Sequence, residues 1–186
     1  MTVKQHISIL GPPAVGKMTV AKYLSKQTNY PVFDNAKTVD IALLLHEYNS
    51  AEYKSFRDGL RFSFYREAAT TSHIKGLIST NCLRDPKNWE YFTSVETMLR
   101  QNGWATIYFL LTADKNVLIE RAASADRASK MSLNSREAIE SWFATSPIHS
   151  QPNDNLSYTI DTTKMNVEKV VEEILQTLTV LRQKNK

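Results

Sequence analysis

The stretch that decides the fold of this chain is Gly11-Pro12-Pro13-Ala14-Val15-Gly16-Lys17-Met18-Thr19. The apolar run 7–10 before it favours a short buried strand, and residues 18–24 after it favour the first turns of a helix. A strand, a Gly-x-x-x-x-Gly-Lys loop and a helix form the unit that wraps backbone N–H groups around phosphates. The helix start adds partial positive charge, and Lys17 can reach the outer phosphates. The whole stretch is therefore predicted to bind a nucleotide.

The residue after the lysine departs from the commonest form of this loop. That form has Ser or Thr there, and the hydroxyl ligates Mg²⁺. Met18 takes the place here, and a thioether is a poor ligand for a hard cation. Thr19 follows one residue later. This Gly-Lys-x-Thr order resembles the loop of adenylate kinase and its relatives, and the resemblance implies that Mg²⁺ is held near Thr19 and Asp34, largely through water.

Length and composition favour a single globular domain. The chain has 186 residues, of which 42% are hydrophobic, enough for a substantial core. It has no apolar run near 18 residues, and its N-terminus lacks the pattern of a signal peptide. The single cysteine, Cys82, fits a reducing compartment and is expected to be a small, semi-buried residue. We therefore expect a cytoplasmic protein without a membrane partner.

The charge balance leaves room for an anionic partner but does not demand a polymer. The formal net charge is +4. The sequence has no nucleic-acid motif with interleaved aromatic residues. Recognition of phosphate in a basic cleft is enough to explain the excess of positive charge. We expect a small-molecule partner and no nucleic acid.

Strands and helices alternate along the chain, which predicts an α/β fold with a parallel sheet and helices on both faces. Strands are predicted at 6–10, 30–34, 75–80, 104–112 and 156–161. Helices are predicted at about 16–27, 38–48, 52–71, 85–102, 114–125, 135–144 and 167–181. In the third helix Phe56, Leu60 and Phe64 recur at i+4, which predicts a buried stripe.

The loop, the order of elements and two segments outside the core together resemble the small P-loop kinases, the group of nucleoside monophosphate, shikimate and gluconate kinases. The string Gly-Pro-Pro-Ala-Val-Gly-Lys-Met-Thr-Val is also similar to a subgroup of small proteins labelled kinases or ATPases, usually without an assigned substrate. The resemblance implies a five-stranded P-loop NTPase fold with a core of residues 1–34, 74–125 and 145–186. It also implies an acceptor-binding helical insertion at 35–73 and a lid at 126–144.

The resemblance also implies roles for individual residues outside the loop. Asp34 matches the carboxylate that ends strand two near Mg²⁺ and the acceptor hydroxyl, and Arg121 and Arg127 match arginines before and within the lid. The turn Asp161-Thr162-Thr163 resembles the segment beside the adenine. Lys17, Asp34, Arg121 and Arg127 are accordingly the predicted catalytic residues.

The predicted acceptor site rests on Asp34, Arg57, Arg61 and Asn81. Phe56-Arg57 resembles the Phe-Arg of the shikimate kinase acceptor site. Arg61 shares a helix face with Arg57 and could grip an anionic acceptor, although Glu52 and Asp58 make a solvated ion-pair face an alternative.

Three departures from the family separate this chain from its named members. Ala36 stands where shikimate kinases have a second aspartate. Thr80-Asn81-Cys82 replaces their Gly-Gly-Gly, and the Asp-Gly-x-Pro-Arg of adenylate kinase is missing.

The prediction is therefore an ATP- and Mg²⁺-dependent kinase of a small-molecule acceptor. The alternatives are a nucleoside or nucleotide kinase, and a nucleotide-binding switch or slow NTPase without an acceptor. The oligomeric state is left open.

Overall fold

The computed structural model describes residues 3–82, 88–123, 140 and 157–184. Within these ranges five parallel strands form one sheet in the order β2-β3-β1-β4-β5. The strands are β1 (Lys4–Leu10), β2 (Val32–Asp34), β3 (Gly76–Asn81), β4 (Trp104–Thr112) and β5 (Ser157–Asp161). The predicted α/β fold with a five-stranded parallel sheet is confirmed.

In the part of the chain that the structure describes, one or two helices lie between successive strands, and one follows the last strand. They are α1 (Lys17–Thr28), α2 (Ala36–Leu43), α3 (Ala51–Thr70), α4 (Asn88–Gln101), α5 (Lys115–Ala122) and α6 (Val167–Lys184). The second helix ends five residues before the predicted position 48, because the N–H groups of Leu44 and Leu45 turn back to carbonyls three residues earlier. The predicted helix start at Asp85 and Pro86 lies outside the described residues. So does the predicted helix 135–144, apart from Glu140.

Each face of the sheet carries its own apolar core. On one face Ile7 and Ile9 of β1 pack with side chains of α1, α5 and α6, among them Leu24 and Ile174. On the other face Leu77 of β3 packs with side chains of α3 and α4. Helices therefore cover both faces, as predicted, and the strand that feeds the phosphate loop lies at the centre of the sheet.

The predicted buried stripe of α3 is wrong. Phe64 is 37% exposed, and the buried side chains of this helix are Tyr53, Tyr65, Ala68 and Ala69. The buried face of the helix is rotated away from that stripe, because Tyr65, Ala68 and Ala69 are the residues that pack with Leu77 of β3 and Leu99 of α4. Phe64 instead stacks on the ring of Phe33 in β2, with centroids 3.8 Å apart.

The parallel arrangement brings the carboxyl ends of the strands to one edge of the sheet. Leu10 at the end of β1 pairs with Asn81 of β3 and with Leu110 of β4. Asp34 at the end of β2 pairs with Thr80, and Asp161 at the end of β5 pairs with Thr112. Open parallel sheets bind their ligands at this edge. The structure therefore places the phosphate loop, Asp34, Asn81 and the turn after Asp161 along one side of the molecule.

No helix in the described ranges has both the length and the apolar character needed to cross a bilayer.

Candidate active site

Gly11 and Gly16 adopt backbone conformations that are strained for residues with a side chain. Gly11 has a φ of 144°, and a Cβ built there would overlap the carbonyl oxygen of Leu111 in β4. Gly16 has a φ of 98° and stands directly before α1. Ala14 also has a positive φ, of 65°, which is uncommon for a residue with a side chain. Strained backbone held by its surroundings is a frequent feature of ligand-binding loops.

The donors of the loop lie in its second half. Pro12 and Pro13 have no N–H group, so the available amides begin at Ala14. No backbone hydrogen bond outside the helices and strands of the described residues is donated by Ala14, Val15 or Gly16. The N–H of Val20, in contrast, donates to the carbonyl oxygen of Gly16 (3.0 Å). A run of amides without chain partners at the start of a helix is the arrangement that binds phosphate.

Lys17 folds back over the loop. Its ammonium donates to the carbonyl oxygens of Gly11 (3.0 Å) and Pro12 (2.7 Å) and to Sγ of Cys82 (3.3 Å). Cys82 is exposed, which corrects the expectation of a semi-buried residue. It follows β3 directly, at the edge of the sheet, where it contacts Lys17 rather than the apolar core. Lys17 thus connects the phosphate loop to the end of β3.

The residues predicted to be near Mg²⁺ are Thr19 and Asp34. Thr19 is exposed at the start of α1, and Asp34 is half-buried, with Oδ1 accepting from the N–H of Ala36 (3.1 Å). The described residues contain no cluster of three or more His, Cys, Asp or Glu that could hold a metal ion. Mg²⁺ in nucleotide sites usually keeps several waters and uses one or two carboxylates plus substrate phosphates. An exposed hydroxyl and a carboxylate whose second oxygen accepts no bond from the described residues fit that mode of binding.

A buried pair of asparagines joins the ends of β2 and β3. Nδ2 of Asn35 donates to the carbonyl oxygen of Thr80 (3.0 Å) and to Oδ1 of Asn81 (2.6 Å). Thr38 extends this connection into α2, because its hydroxyl donates to the carbonyl oxygen of Asn35 (2.7 Å). Asn81, a predicted acceptor contact, is therefore held in place at the sheet edge.

Arg57 and Arg61 share one carboxylate. Asp58 accepts two hydrogen bonds from Arg57 (2.8 and 3.0 Å) and one from Nη1 of Arg61 (3.3 Å). Nε of Arg61 also donates to the hydroxyl of Thr38 (2.9 Å). Burial, and then the charge of Arg57, lower the pKa of Arg61. Two cations beside one anion leave an excess positive charge in a partly buried place, which favours an anionic ligand.

Buried polar side chains lie next to the pair formed by Asn35 and Asn81, among them His6 and Tyr65. The ring of His6 is hydrogen-bonded to the hydroxyls of Ser79 (2.9 Å) and Thr106 (3.2 Å) and is fully buried. Burial lowers the pKa of His6 to about 3. Burial also raises the pKa of the Tyr65 hydroxyl, against the hydrogen bonds of Ser79, Asn35 and Asn81. These groups therefore stay neutral at physiological pH.

Arg121 contacts the turn predicted to lie beside the adenine. Its Nη1 donates to the hydroxyl of Thr162 (3.0 Å), and its Nη2 donates to the carbonyl oxygen of Thr162 (2.8 Å). Thr163 donates to Oδ1 of Asp161 and accepts from the N–H of Asp114 (2.9 Å). The hydrogen bonds from Thr163 lower the pKa of Asp161. The turn is thus tied to α5 and to β4, whose Thr112 carbonyl accepts from Thr162.

Arg127 and all of the predicted lid except Glu140 lie outside the described residues. A groove between α1 and α6, lined in part by Tyr23, Val171 and Leu175, contains none of the predicted site residues.

Four residues of the site escaped the sequence analysis as functional candidates: Asn35, Thr38, Asp58 and Cys82. Asn35 had one usable signal, since it directly follows the carboxylate that ends β2. Asp58 had the signal of its position between Arg57 and Arg61, whereas Thr38 and Cys82 join the site through bonds to residues farther away in sequence, Arg61 and Lys17.

A family model described as an AAA domain matches residues 7–142, which is more than half of the chain. The chain belongs to this family, and the resemblance to the small P-loop kinases is confirmed. No curated protein sequence matches the chain.

Solved structures with the same fold include three proteins that align over almost their whole length. A candidate kinase from Chloroflexus aurantiacus is 21% identical, with 97% of this chain and 98% of that chain covered and a TM-score of 0.69. A gluconokinase from Sinorhizobium meliloti is 13% identical, with 99% and 97% covered and a TM-score of 0.67. A shikimate kinase from Acinetobacter baumannii, solved in complex with shikimate, is 17% identical, with 98% and 96% covered and a TM-score of 0.61. These similarities establish the fold.

Proposed function

We propose that this protein is an ATP-dependent kinase that transfers the γ-phosphoryl group to a small anionic acceptor. One observation carries the proposal: a path of contacts runs along the sheet edge from the phosphate loop to a pair of arginines. It passes from Lys17 to Cys82, whose neighbour Asn81 is bonded to Asn35, and through Thr38 to Arg61. A phosphoryl donor and its acceptor need such adjacent sites, because the transfer requires in-line placement.

The donor side of the proposed site is the phosphate loop. Its amides and Lys17 would hold the β- and γ-phosphates of ATP. Thr19 and, through water, Asp34 would hold Mg²⁺, which supplies charge neutralisation on the phosphate oxygens. The turn Asp161–Thr163 would lie beside the adenine, positioned by Arg121.

The acceptor side comprises Arg57, Arg61 and Asn81. Their positive charge and carboxamide favour a small molecule that carries a carboxylate or phosphate together with a hydroxyl. In the transfer an acceptor oxygen bonds to the γ-phosphorus as the bond to the β-phosphate oxygen breaks, and ADP leaves. Asp34 would take the acceptor proton, and Arg127 of the lid would stabilise the charge on the transferring group.

The experiment is a panel assay of ADP formation with Mg²⁺-ATP and candidate acceptors. The panel contains hydroxy acids such as gluconate and shikimate, sugar phosphates, nucleosides and nucleoside monophosphates. We expect ADP formation to rise with one anionic hydroxy compound and phosphorylated product to accumulate in equal amount. Stimulation by a nucleoside or its monophosphate would instead identify a nucleotide kinase. ATP hydrolysis that no member of the panel stimulates would favour the switch or slow NTPase.

A further inference from the structure

The Lys17 ammonium has three acceptors within hydrogen-bond distance, as many as it has N–H groups. An ammonium has three N–H donors. In this structure they meet the carbonyl oxygens of Gly11 and Pro12 and the thiol of Cys82. A phosphate oxygen can therefore bind Lys17 only by replacing one of the three.

The three acceptors are unequal. The two carbonyls belong to the loop itself and accept at 3.0 and 2.7 Å. The sulfur of Cys82 belongs to a different segment, after β3, and is a weak acceptor. An ionised phosphate oxygen is a much stronger one. The thiol is therefore the contact that a phosphate displaces at the smallest cost.

We propose that Cys82 is a positioning residue for Lys17, and that its thiol occupies the place that an oxygen of the terminal phosphate of ATP takes. The proposal rests on the proposed binding of ATP by the loop. It puts the terminal phosphate on the side of the loop that faces the end of β3. On that side Asn81 is bonded to Asn35, and the path to Arg61 begins. The phosphate would thus lie between Lys17 and the acceptor site.

Serine and alanine at position 82 should have opposite effects on the competition between residue 82 and phosphate for the third N–H of Lys17. A serine hydroxyl accepts more strongly than a thiol and would hold Lys17 back from the phosphate. An alanine offers no acceptor and leaves that N–H free. What counts is the difference between the hydroxyl and the thiol as acceptors of the same ammonium N–H, and a difference of about 1 kcal/mol corresponds to about fivefold in affinity. The affinity for ATP should change more than the affinity for ADP, because ADP lacks the γ-phosphate.

The test measures dissociation constants for ATP and ADP with Cys82→Ser and Cys82→Ala, each made alone and together with Lys17→Ala. We expect Cys82→Ser to weaken ATP binding about threefold to fivefold and Cys82→Ala to leave it equal or tighter. The effects on ADP should be smaller. In the Lys17→Ala background the two Cys82 substitutions should make no difference, because the donor is gone. A merely structural role of Cys82 would alter ATP and ADP alike and would persist without Lys17.

The unmodified protein gives a second readout, since Cys82 is its single cysteine. We expect saturating ATP to slow alkylation of Cys82 by iodoacetamide more than saturating ADP does. Equal protection by both nucleotides, or Cys82→Ser binding ATP as the wild type does, would overturn the proposal. If Lys17→Ala itself binds ATP normally, the failure lies in the proposed function and not in Cys82 alone.

Discussion

At the scale of single residues, the proposed donor and acceptor sites depend on the cations Lys17 and Arg61. Lys17 is directed by three acceptors, and Arg61 by a hydroxyl and a carboxylate. Both cations have their stems partly buried, so their charged groups are held rather than mobile. We therefore expect substitutions of Lys17 to change the affinity for ATP and substitutions of Arg61 to change the affinity for the acceptor.

Arg61→Gln should raise the KM for the acceptor and leave the KM for ATP unchanged. A charge-assisted hydrogen bond is worth about 1.5–3 kcal/mol, which corresponds to roughly tenfold to hundredfold in KM. Steady-state kinetics with the acceptor found in the panel measure the effect. Arg66→Gln, an exposed arginine on the same helix, is the matched control and should change neither constant. Equal effects of the two substitutions would remove Arg61 from the acceptor site.

At the scale of elements, the phosphate loop depends on its close approach to β4. Gly11 has no room for a side chain against Leu111, whereas Gly59 in α3 has nothing within 4 Å of an added Cβ. Replacing glycine by alanine should therefore lower the stability of the protein at Gly11 and raise it at Gly59.

Gly11→Ala should destabilise the protein by about 1–3 kcal/mol from backbone strain alone and weaken ATP binding. Gly59→Ala should stabilise it by about 1 kcal/mol, because alanine is the better helix former. Urea unfolding of both variants measures the difference. A neutral Gly11→Ala would mean that the loop does not require this approach to β4.

The segment 126–144, proposed to be a lid, has a role that can be tested through Arg127. If Arg127 stabilises the transferring phosphoryl group, Arg127→Ala should lower kcat by about 10³-fold and leave ATP affinity nearly unchanged. Single-turnover rates with the identified acceptor measure this effect, and Lys130→Ala, a nearby cation, is the control. Normal turnover by Arg127→Ala would exclude that role.

The sequence predicted those elements whose signals are local. The loop follows from the spacing of Gly11, Gly16 and Lys17, and the strands follow from short apolar runs between turn residues. The buried face of α3 was predicted wrongly because it depends on the packing of Tyr65 against Phe33 of β2 and Leu77 of β3, which no local window of the sequence contains. The bond between Asn35 and Asn81 spans 46 positions and exists because β2 and β3 are neighbours. Strand order had to be known before that part of the site could be found.

At the scale of the whole molecule, the buried histidine below the site links stability to pH. Burial lowers the pKa of His6 to about 3 in the folded protein, well below its ordinary value of 6.5. Between those values the unfolded chain binds more protons, so stability falls as the pH falls.

The expected loss is at most about 1.4 kcal/mol per pH unit below pH 6.5. His6→Gln should remove this component, and His73→Gln, at an exposed position, should not. Unfolding free energies measured from pH 7 to pH 4 show the outcome. If the difference between the wild type and His6→Gln stays constant over that range, the histidine is not buried in its neutral form.

The most direct test of the account is calorimetric titration of the wild type and Lys17→Ala with Mg²⁺-ATP. We predict that the wild type binds one equivalent and that Lys17→Ala binds roughly tenfold to hundredfold more weakly, because a charge-assisted hydrogen bond to phosphate is lost. Circular dichroism should show that both are equally folded. Equal affinity of the two proteins, or no binding by the wild type, would contradict the assignment of residues 11–19 as a phosphate-binding loop.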